Sequence, residues 1–448
     1  MKEACSAVTK LKLARDAKTI NIEAVELIDR AGLASIENDS AMPSFIKDFD
    51  ENITALLIET RAISDEQLDI QTIQIEELLK EFEVVKQIFF TKDVAQYTLY
   101  WKIRKGLFPA VGAVRKTGTT VIIEDVAYPI EHLAEATLEL QELFKKHGYK
   151  EAIIFGHALE GNFHFVFTQD FSHKKEVKRY DDFMNDVVHS VAVKYQGSLK
   201  AEHGTGRNMA AFVELEWGSD AYMMMKKIKN LFDPRGLLNP GVIINDDKEA
   251  HLKNLKTLPA TNPIVDKCIE CGFCEPTCPS NELTLSPRQR IVINREISRL
   301  ENIGLYKEAK EYKKLYQYDG IETCATCSLC SSACPVNIDT GSLTKHLRAE
   351  QASESSKSIA NFVANNFSST LKGIRVGLHS ANFIHKVLGT ASMETFTQTF
   401  RDLSKNTLPK WTETMPKGTN IDMYFEQKVS DKKVVYFPSC ITRSMGLN

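Results

Sequence analysis

Apolar and polar positions along the chain follow two different periods. From Glu131 to His147 apolar residues recur every third or fourth position, the spacing of a half-buried helix, and Gly148 supplies its stop. The same spacing predicts helices over Asp65–Lys80 and Glu176–Tyr195. It predicts another over Ser219–Phe232, with Ser219 as N-cap and Asp233-Pro234-Arg235-Gly236 as the exit. It also assigns Ile22–Arg30 to a helix. Apolar runs of strand length fall at Thr54–Glu59, Val84–Phe90, Val121–Val126, Ala152–Phe155 and Phe163–Thr168. The last two flank a turn at Glu160–Asn162. Short strands among long helices give an α+β expectation for residues 1–246, an antiparallel sheet with helices on one face.

The polar stretch 247–262 then reads as a linker. Residues 263–350 hold most of the cysteines and otherwise read as helices, Pro287–Glu301 and Lys307–Tyr318. Residues 351–430 form an amphipathic helical connector, and 431–448 open with the strand-like Val434–Phe437 before Cys440. A lone strand has nothing to pair with, so the expectation is a piece of a longer protein, cut at the start of a further domain.

Composition narrows the class. The 448 residues are enough for two to four domains, and 43% hydrophobic with 26% charged residues is a globular profile. Basic and acidic residues nearly cancel, 56 against 59, so no nucleic-acid partner is expected. No apolar run is long enough for a membrane span, and the N-terminus lacks the apolar core of a signal peptide. A cytoplasmic setting follows. Met223-Met224-Met225 reads as a helix face packed into the core.

Eight of the ten cysteines fall in two short repeats. One is Cys268, Cys271, Cys274 and Cys278 followed by Pro279, and the other is Cys324, Cys327, Cys330 and Cys334 followed by Pro335. Three thiolates at this spacing wrap one [4Fe–4S] cluster, and the cysteine before proline reaches the other cluster. One cluster would take Cys268, Cys271, Cys274 and Cys334, and the second Cys324, Cys327, Cys330 and Cys278. Zinc sites pair two CxxC units and need no fourth cysteine before proline. The helical span between the repeats resembles the α-helical ferredoxin modules of succinate dehydrogenase and heterodisulfide reductase iron–sulfur subunits. The fold class expected is therefore α+β followed by an all-α ferredoxin-like domain.

A second constellation lies in the first half. Gly156-His157-Ala158-Leu159-Glu160-Gly161-Asn162-Phe163-His164 puts two imidazoles across a turn, and Ala201-Glu202-His203-Gly204-Thr205-Gly206-Arg207 adds a carboxylate and a third. Two histidines and a carboxylate are a first shell for a divalent cation. Spacing alone leaves open whether His157, His164 and Glu202 converge.

These two runs resemble the GHxGDGNxH and (A/G)EHGxG motifs of flavin-linked oxidases of 2-hydroxy acids. Glu124–Pro129 and Leu231–Gly241 resemble two further motifs of that family, in the same order. The fusion with a ferredoxin module resembles bacterial iron–sulfur D-lactate dehydrogenases, and Val434–Cys440 resembles the start of their cysteine-rich domain. The resemblance implies that residues 1–246 are the cap that roofs the substrate over FAD. It implies a cation, zinc or manganese, on His157, His164 and Glu202, with His203 as the base that takes the hydroxyl proton. Arg104 is implied at the substrate carboxylate, with Arg207 second in line.

Two departures stand out. Glu160 replaces the motif's aspartate, and no Gly-rich loop for the FAD diphosphate appears, so the flavin-binding domain is expected to be missing. The expected activity is oxidation of a small D-2-hydroxy acid, D-lactate foremost, to the 2-oxo acid. Electrons would pass through the clusters to a quinone or another carrier, with peripheral contact at the cytoplasmic face of a membrane. The alternatives are a non-catalytic electron-transfer module and a metal-dependent hydrolase with an accessory ferredoxin. The hydrolase lacks an evident nucleophile.

Overall fold

The computed structural model describes residues 1–37, 42–404, 406, 408–419, 439, 442, 444 and 445. The strand expected at Val434–Phe437 and the thiol of Cys440 lie outside the described residues. Two compact units divide the chain, Met1–Leu347 and Arg348–Asn448.

The first unit is built on five strands: β1 (Ala24–Asp29), β2 (Thr54–Glu59), β3 (Thr120–Ala127), β4 (Ile153–His157) and β5 (Asn162–Gln169). They form one sheet in the order β2-β1-β4-β5-β3, antiparallel throughout. Its helices are α1 (Lys2–Asp16), α2 (Arg30–Ile36), α3 (Asp65–Leu79), α4 (Val94–Val114), α5 (Leu133–His147), α6 (Lys174–Val188), α7 (Val213–Trp217) and α8 (Ser219–Phe232).

Alternation along the strands sends side chains to two separate cores. Phe163, Phe165 and Phe167 of β5 join Val25, Leu27 and Ile154 in a core with residues of α1, α3, α5 and α6. Ile28, Ile153, Phe155 and Val166 point the other way and pack with Leu33 and Ile36 of α2 and Leu107 and Val111 of α4. Helices therefore cover both faces of the sheet, not one. The long helix α4 lies where the sequence pattern predicted no element, between Val84–Phe90 and Val121–Val126.

Ile22–Arg30 is a strand where a helix was expected. Its apolar residues are compatible with either period over so short a run, and pairing on both sides, with β2 and β4, decides for extended backbone. Val84–Phe90 carries no strand. Val84 and Val85 stand 50% and 67% exposed, and the segment pairs with neither sheet edge. Gly218, not Ser219, is the N-cap of α8, and the Ser219 hydroxyl instead donates to Glu214 at 3.2 Å. On the same helix Met223 and Met224 are exposed and Tyr222 is the buried residue, so the methionine run is not a core face.

Downstream of residue 263 the regular elements are helical: α9 (Pro287–Asn302), α10 (Tyr306–Tyr316), α11 (Leu329–Ala333) and α12 (Thr340–Gln351). Helix α9 starts where it does because Ser286 and Gln289 form a capping box and Pro287 occupies the first turn, where no N–H is needed. The second unit contains α13 (Glu354–Asn365) and α14 (Phe367–Leu403), the latter kinked at Gly389.

Candidate functional site

Four polar side chains stand in a row across one face of the sheet. Glu26 on β1 pairs with His157 on β4, and Asp125 on β3 pairs with His164 on β5, which also pairs with Phe155 of β4. The turn between β4 and β5 needs Gly161, at φ 68°, because a Cβ there would lie 2.1 Å from the Tyr128 carbonyl oxygen.

The stretch 200–208 lies over this row, and Asp125 fixes it. Its Oδ2 accepts three successive backbone N–H groups, from Ala201 at 3.0 Å, Glu202 at 2.7 Å and His203 at 3.3 Å. Lys200 bonds Glu124 and reaches Asp125 Oδ1 at 3.2 Å. Asn208 donates to Glu124 and accepts from the Tyr180 hydroxyl. Burial opposes the charge on Asp125, yet those N–H groups and Lys200 hold its carboxyl below the usual range. Burial wins at Glu124 and raises it.

The outcome is convergence on one oxygen. Glu202 Oε1 lies 2.9 Å from His164 Nε2, 3.2 Å from His203 Nε2 and 3.5 Å from His157 Nε2. The rings of His164 and His203 stack with centroids 4.8 Å apart. His157, His164 and Glu202 each offer a ligand atom within 4.8 Å of the others. His157 Nδ1 is 2.6 Å from Glu26 Oε1, and that bond raises its pKa. His164 is pushed down to about 4, chiefly by burial, so it is an uncharged donor at neutral pH. Its Nδ1 is buried without a partner.

Arg104 stands one step behind this cluster. Its Nε donates to Glu26 Oε2 at 2.7 Å, and its guanidinium lies over the Phe155 ring. Arg207 is exposed. Glu160, the variant position of the first motif, points to α1 and pairs with Arg15 at 2.6 Å. Sequence reasoning missed Glu26, whose segment was read as a helix, and gave Asp125 no role although Glu124–Pro129 was singled out. The signal available was a buried acidic pair inside a strand.

The cysteine repeats share one backbone. Glu270 and Thr326, each just before the second cysteine, have φ 62° and 51°, and Gly272 and Ser328, just after it, have φ 88° and 61°. Three of these four are side-chain-bearing residues in the left-handed region, a costly conformation kept where the backbone must wrap a group. Alternating left-handed residues also turn N–H groups toward one concavity, the geometry that receives an anionic centre. Cys278, Cys324, Cys327 and Cys330 line a single small pocket. Cys268, Cys271, Cys274 and Cys334 lie close enough for their charges to interact, and burial with that mutual repulsion pushes the Cys274 thiol up to about 12. Each foursome takes one cysteine from the other repeat.

Residues 1–243 match the family model of FAD linked oxidases, C-terminal domain, and residues 264–338 match that of the 4Fe-4S dicluster domain. A mitochondrial D-lactate dehydrogenase [cytochrome] of Arabidopsis thaliana is 30% identical over 233 residues, 50% of this chain and 38% of that one. Glycolate oxidase subunit GlcD of Bacillus subtilis is 30% identical over 138 residues, 31% of this chain and 29% of its own. D-2-hydroxyglutarate dehydrogenase of Escherichia coli is 25% identical over 343 residues, covering 64% and 33%. The chain thus spans between 29% and 38% of the length of these relatives.

Proposed function

The chain belongs to the FAD-linked oxidases through their C-terminal domain, and on that premise we propose that it oxidises a small D-2-hydroxy acid, D-lactate foremost, to the 2-oxo acid. The observation that carries this reading is the convergence of three imidazoles on Glu202 in a chain that also gathers eight thiols into two foursomes. A two-electron substrate site and two one-electron carriers in one chain make sense together as a dehydrogenase.

Zinc or manganese fits His157, His164 and Glu202. Glu26 at Nδ1 of His157 leaves the Nε2 lone pair for a ligand bond, the usual outer support of a metal-bound histidine. Bound there, the cation supplies Lewis-acid polarisation of the substrate hydroxyl, and FAD supplies the hydride acceptor. Asp125 holds the backbone of Glu202 and His203, and His203 receives the hydroxyl proton at Nε2. Burial opposes the charge on Glu26, but the His157 bond and then Arg104 hold its carboxyl below the usual range, and Arg104 adds positive potential toward a substrate carboxylate.

The eight cysteines would hold two [4Fe–4S] clusters in the crossed pattern, which would supply one-electron transfer toward a quinone or another carrier. Peripheral contact with a quinone pool is part of this reading; no helix among the described residues is long and apolar enough to cross a membrane. The retained histidines and Glu202 weigh against a purely electron-transferring module.

The test is anaerobic mixing of the native flavin-loaded protein with D-lactate, glycolate and D-2-hydroxyglutarate in turn, with flavin and cluster absorbance followed together. Bleaching of both by D-lactate is expected. Clusters that respond to dithionite but to none of the three acids overturn the assignment. Activity that stays wholly soluble after cell fractionation removes the membrane contact.

A further inference from the structure

Helix α4 connects the hydroxy-acid site to the first cysteine repeat. Midway along it Arg104 bonds Glu26, the partner of His157. Its last turns run against Ile269, between Cys268 and Cys271. A Cβ on Gly112 would sit 2.2 Å from Ile269 Cγ2, so only glycine admits this approach.

Arg115 follows directly and is 8% exposed. Its Nη2 donates to the carbonyls of Asp266 at 2.7 Å and Cys268 at 2.8 Å. Arg295 of α9, 3% exposed, donates its Nη2 to the same two carbonyls at 3.2 and 2.9 Å. Two buried guanidiniums therefore grip the backbone that leads into Cys268. Arg295 has a carboxylate partner, Glu270 at 2.7 Å, which Lys256 also bonds. Arg115 has none among the described residues, and its Nε and Nη1 are buried without a partner.

Like charges buried side by side are costly unless an anion offsets them. Cys268, Cys271, Cys274 and Cys334 would provide one, since a [4Fe–4S] core on four thiolates is anionic and gains a further negative charge on reduction. Near this foursome stand Arg115, Arg295 and Lys256 against Glu270 and Asp266. At the other foursome the buried Arg290 places Nη1 3.8 Å from Cys278 Sγ, but Asp339 Oδ1 lies 3.9 Å from Cys330 Sγ and offsets it. Over these named groups the first foursome keeps one cation in excess and the second none.

We infer that Arg115 raises the reduction potential of the cluster on Cys268, Cys271, Cys274 and Cys334 above that of its neighbour, so that this cluster is reduced first. The inference rests on the two-cluster reading given above. Oxidation of one hydroxy acid releases two electrons; with one for each cluster, the first would settle where the added negative charge meets the cation that lacks a carboxylate partner. Arg115 lies in the span matching the oxidase domain and the cysteines in the span matching the dicluster domain. The potential is thereby tied to the packing of the two. Arg115 is a positioning residue in this role.

The experiment is an EPR-monitored redox titration of the full chain, purified without air, after iron and labile sulfide are counted. Wild type is expected to hold iron for two clusters and to show two one-electron transitions. In Arg115→Gln the higher transition should fall by at least tenfold in its equilibrium constant, about 59 mV, with the lower one unmoved. Arg115→Lys, which keeps the charge, should recover most of the shift. Two loaded clusters with both potentials unchanged in Arg115→Gln overturn this inference alone. A wild type without iron overturns the cluster reading and this inference together. If Arg115→Gln loses iron, Arg115→Met, an uncharged stem of similar length, is titrated in its place: a fall in the higher transition supports the cationic surplus, and no change overturns it.

Discussion

His157 Nδ1 and Glu26 Oε1 lie 2.6 Å apart across the β4–β1 ladder, with Glu26 almost wholly buried and shared with Arg104. The bond fixes the imidazole rotation that turns Nε2 toward Glu202. Glu26→Gln is therefore expected to weaken zinc or manganese binding roughly 10–100-fold, the usual cost of losing outer support for a metal-bound histidine. Calorimetric titration of each cation reads this directly. Undiminished affinity would mean that His157 is not oriented for a ligand bond.

The crossing of the cysteine foursomes makes an unusual demand on mutants. Cys278 belongs to the first repeat by sequence but shares its cavity with Cys324, Cys327 and Cys330. Cys278→Ser should disturb the cluster of the second repeat and leave that of the first, and Cys334→Ser should do the reverse. Serine keeps the volume and removes the thiolate. Two EPR signals assigned by potential would show which cluster each variant loses. If each variant damages its own repeat's cluster, the ligation is not crossed.

Much of this arrangement could be read from residue patterns, and the parts that could not share one cause. β5 was visible because Phe163, Phe165 and Phe167 alternate with other residues over a full strand. His157 and His164 flank a turn, so their proximity followed from local chemistry. Glu26 reaches His157 only through pairing between strands far apart in sequence, and no local pattern reports such pairing. Asp125 is similar, since its partners are backbone N–H groups of residues 201–203. Helices on both faces were legible in principle, because near-continuous apolar runs such as Val121–Ile123 and Ile153–Phe155 mark strands covered on both sides, where a one-faced sheet would alternate.

Asp29 gives the fold a pH dependence of its own. It ends β1, caps α2 through Gly32 N at 2.8 Å and accepts from Ile154 N of β4 at 3.0 Å. Burial raises its pKa from 3.8 to about 7 despite those two donors. Between these values the folded chain keeps a proton that the unfolded chain has lost. Its contribution is therefore full below the unfolded value and declines as pH rises to about 7. Asp29→Asn does not titrate, but its amide faces the Ile154 N–H and forfeits that bond, a loss of about 1–3 kcal/mol. Urea midpoints for both proteins across this range should differ by an amount that shrinks as pH rises. A constant difference would show that Asp29 is charged throughout.

His203 and Asp125 separate proton transfer from scaffolding. His203 sits 3.2 Å from Glu202 by Nε2, and its side chain is about half exposed at the open side of the cluster, where a substrate hydroxyl would arrive. His203→Gln removes the proton acceptor but leaves His157, His164 and Glu202 in place. Turnover of D-lactate should fall about 10²–10⁴-fold, with KM and cation affinity little changed. Asp125→Ala should behave differently. It strips the shared acceptor from three N–H groups, so the 200–208 stretch loses hydrogen-exchange protection, and cation binding falls together with turnover. Steady-state kinetics, cation titration and exchange on the two variants side by side distinguish the roles. Equal losses of cation binding in both would make His203 a structural neighbour of the site and not its base.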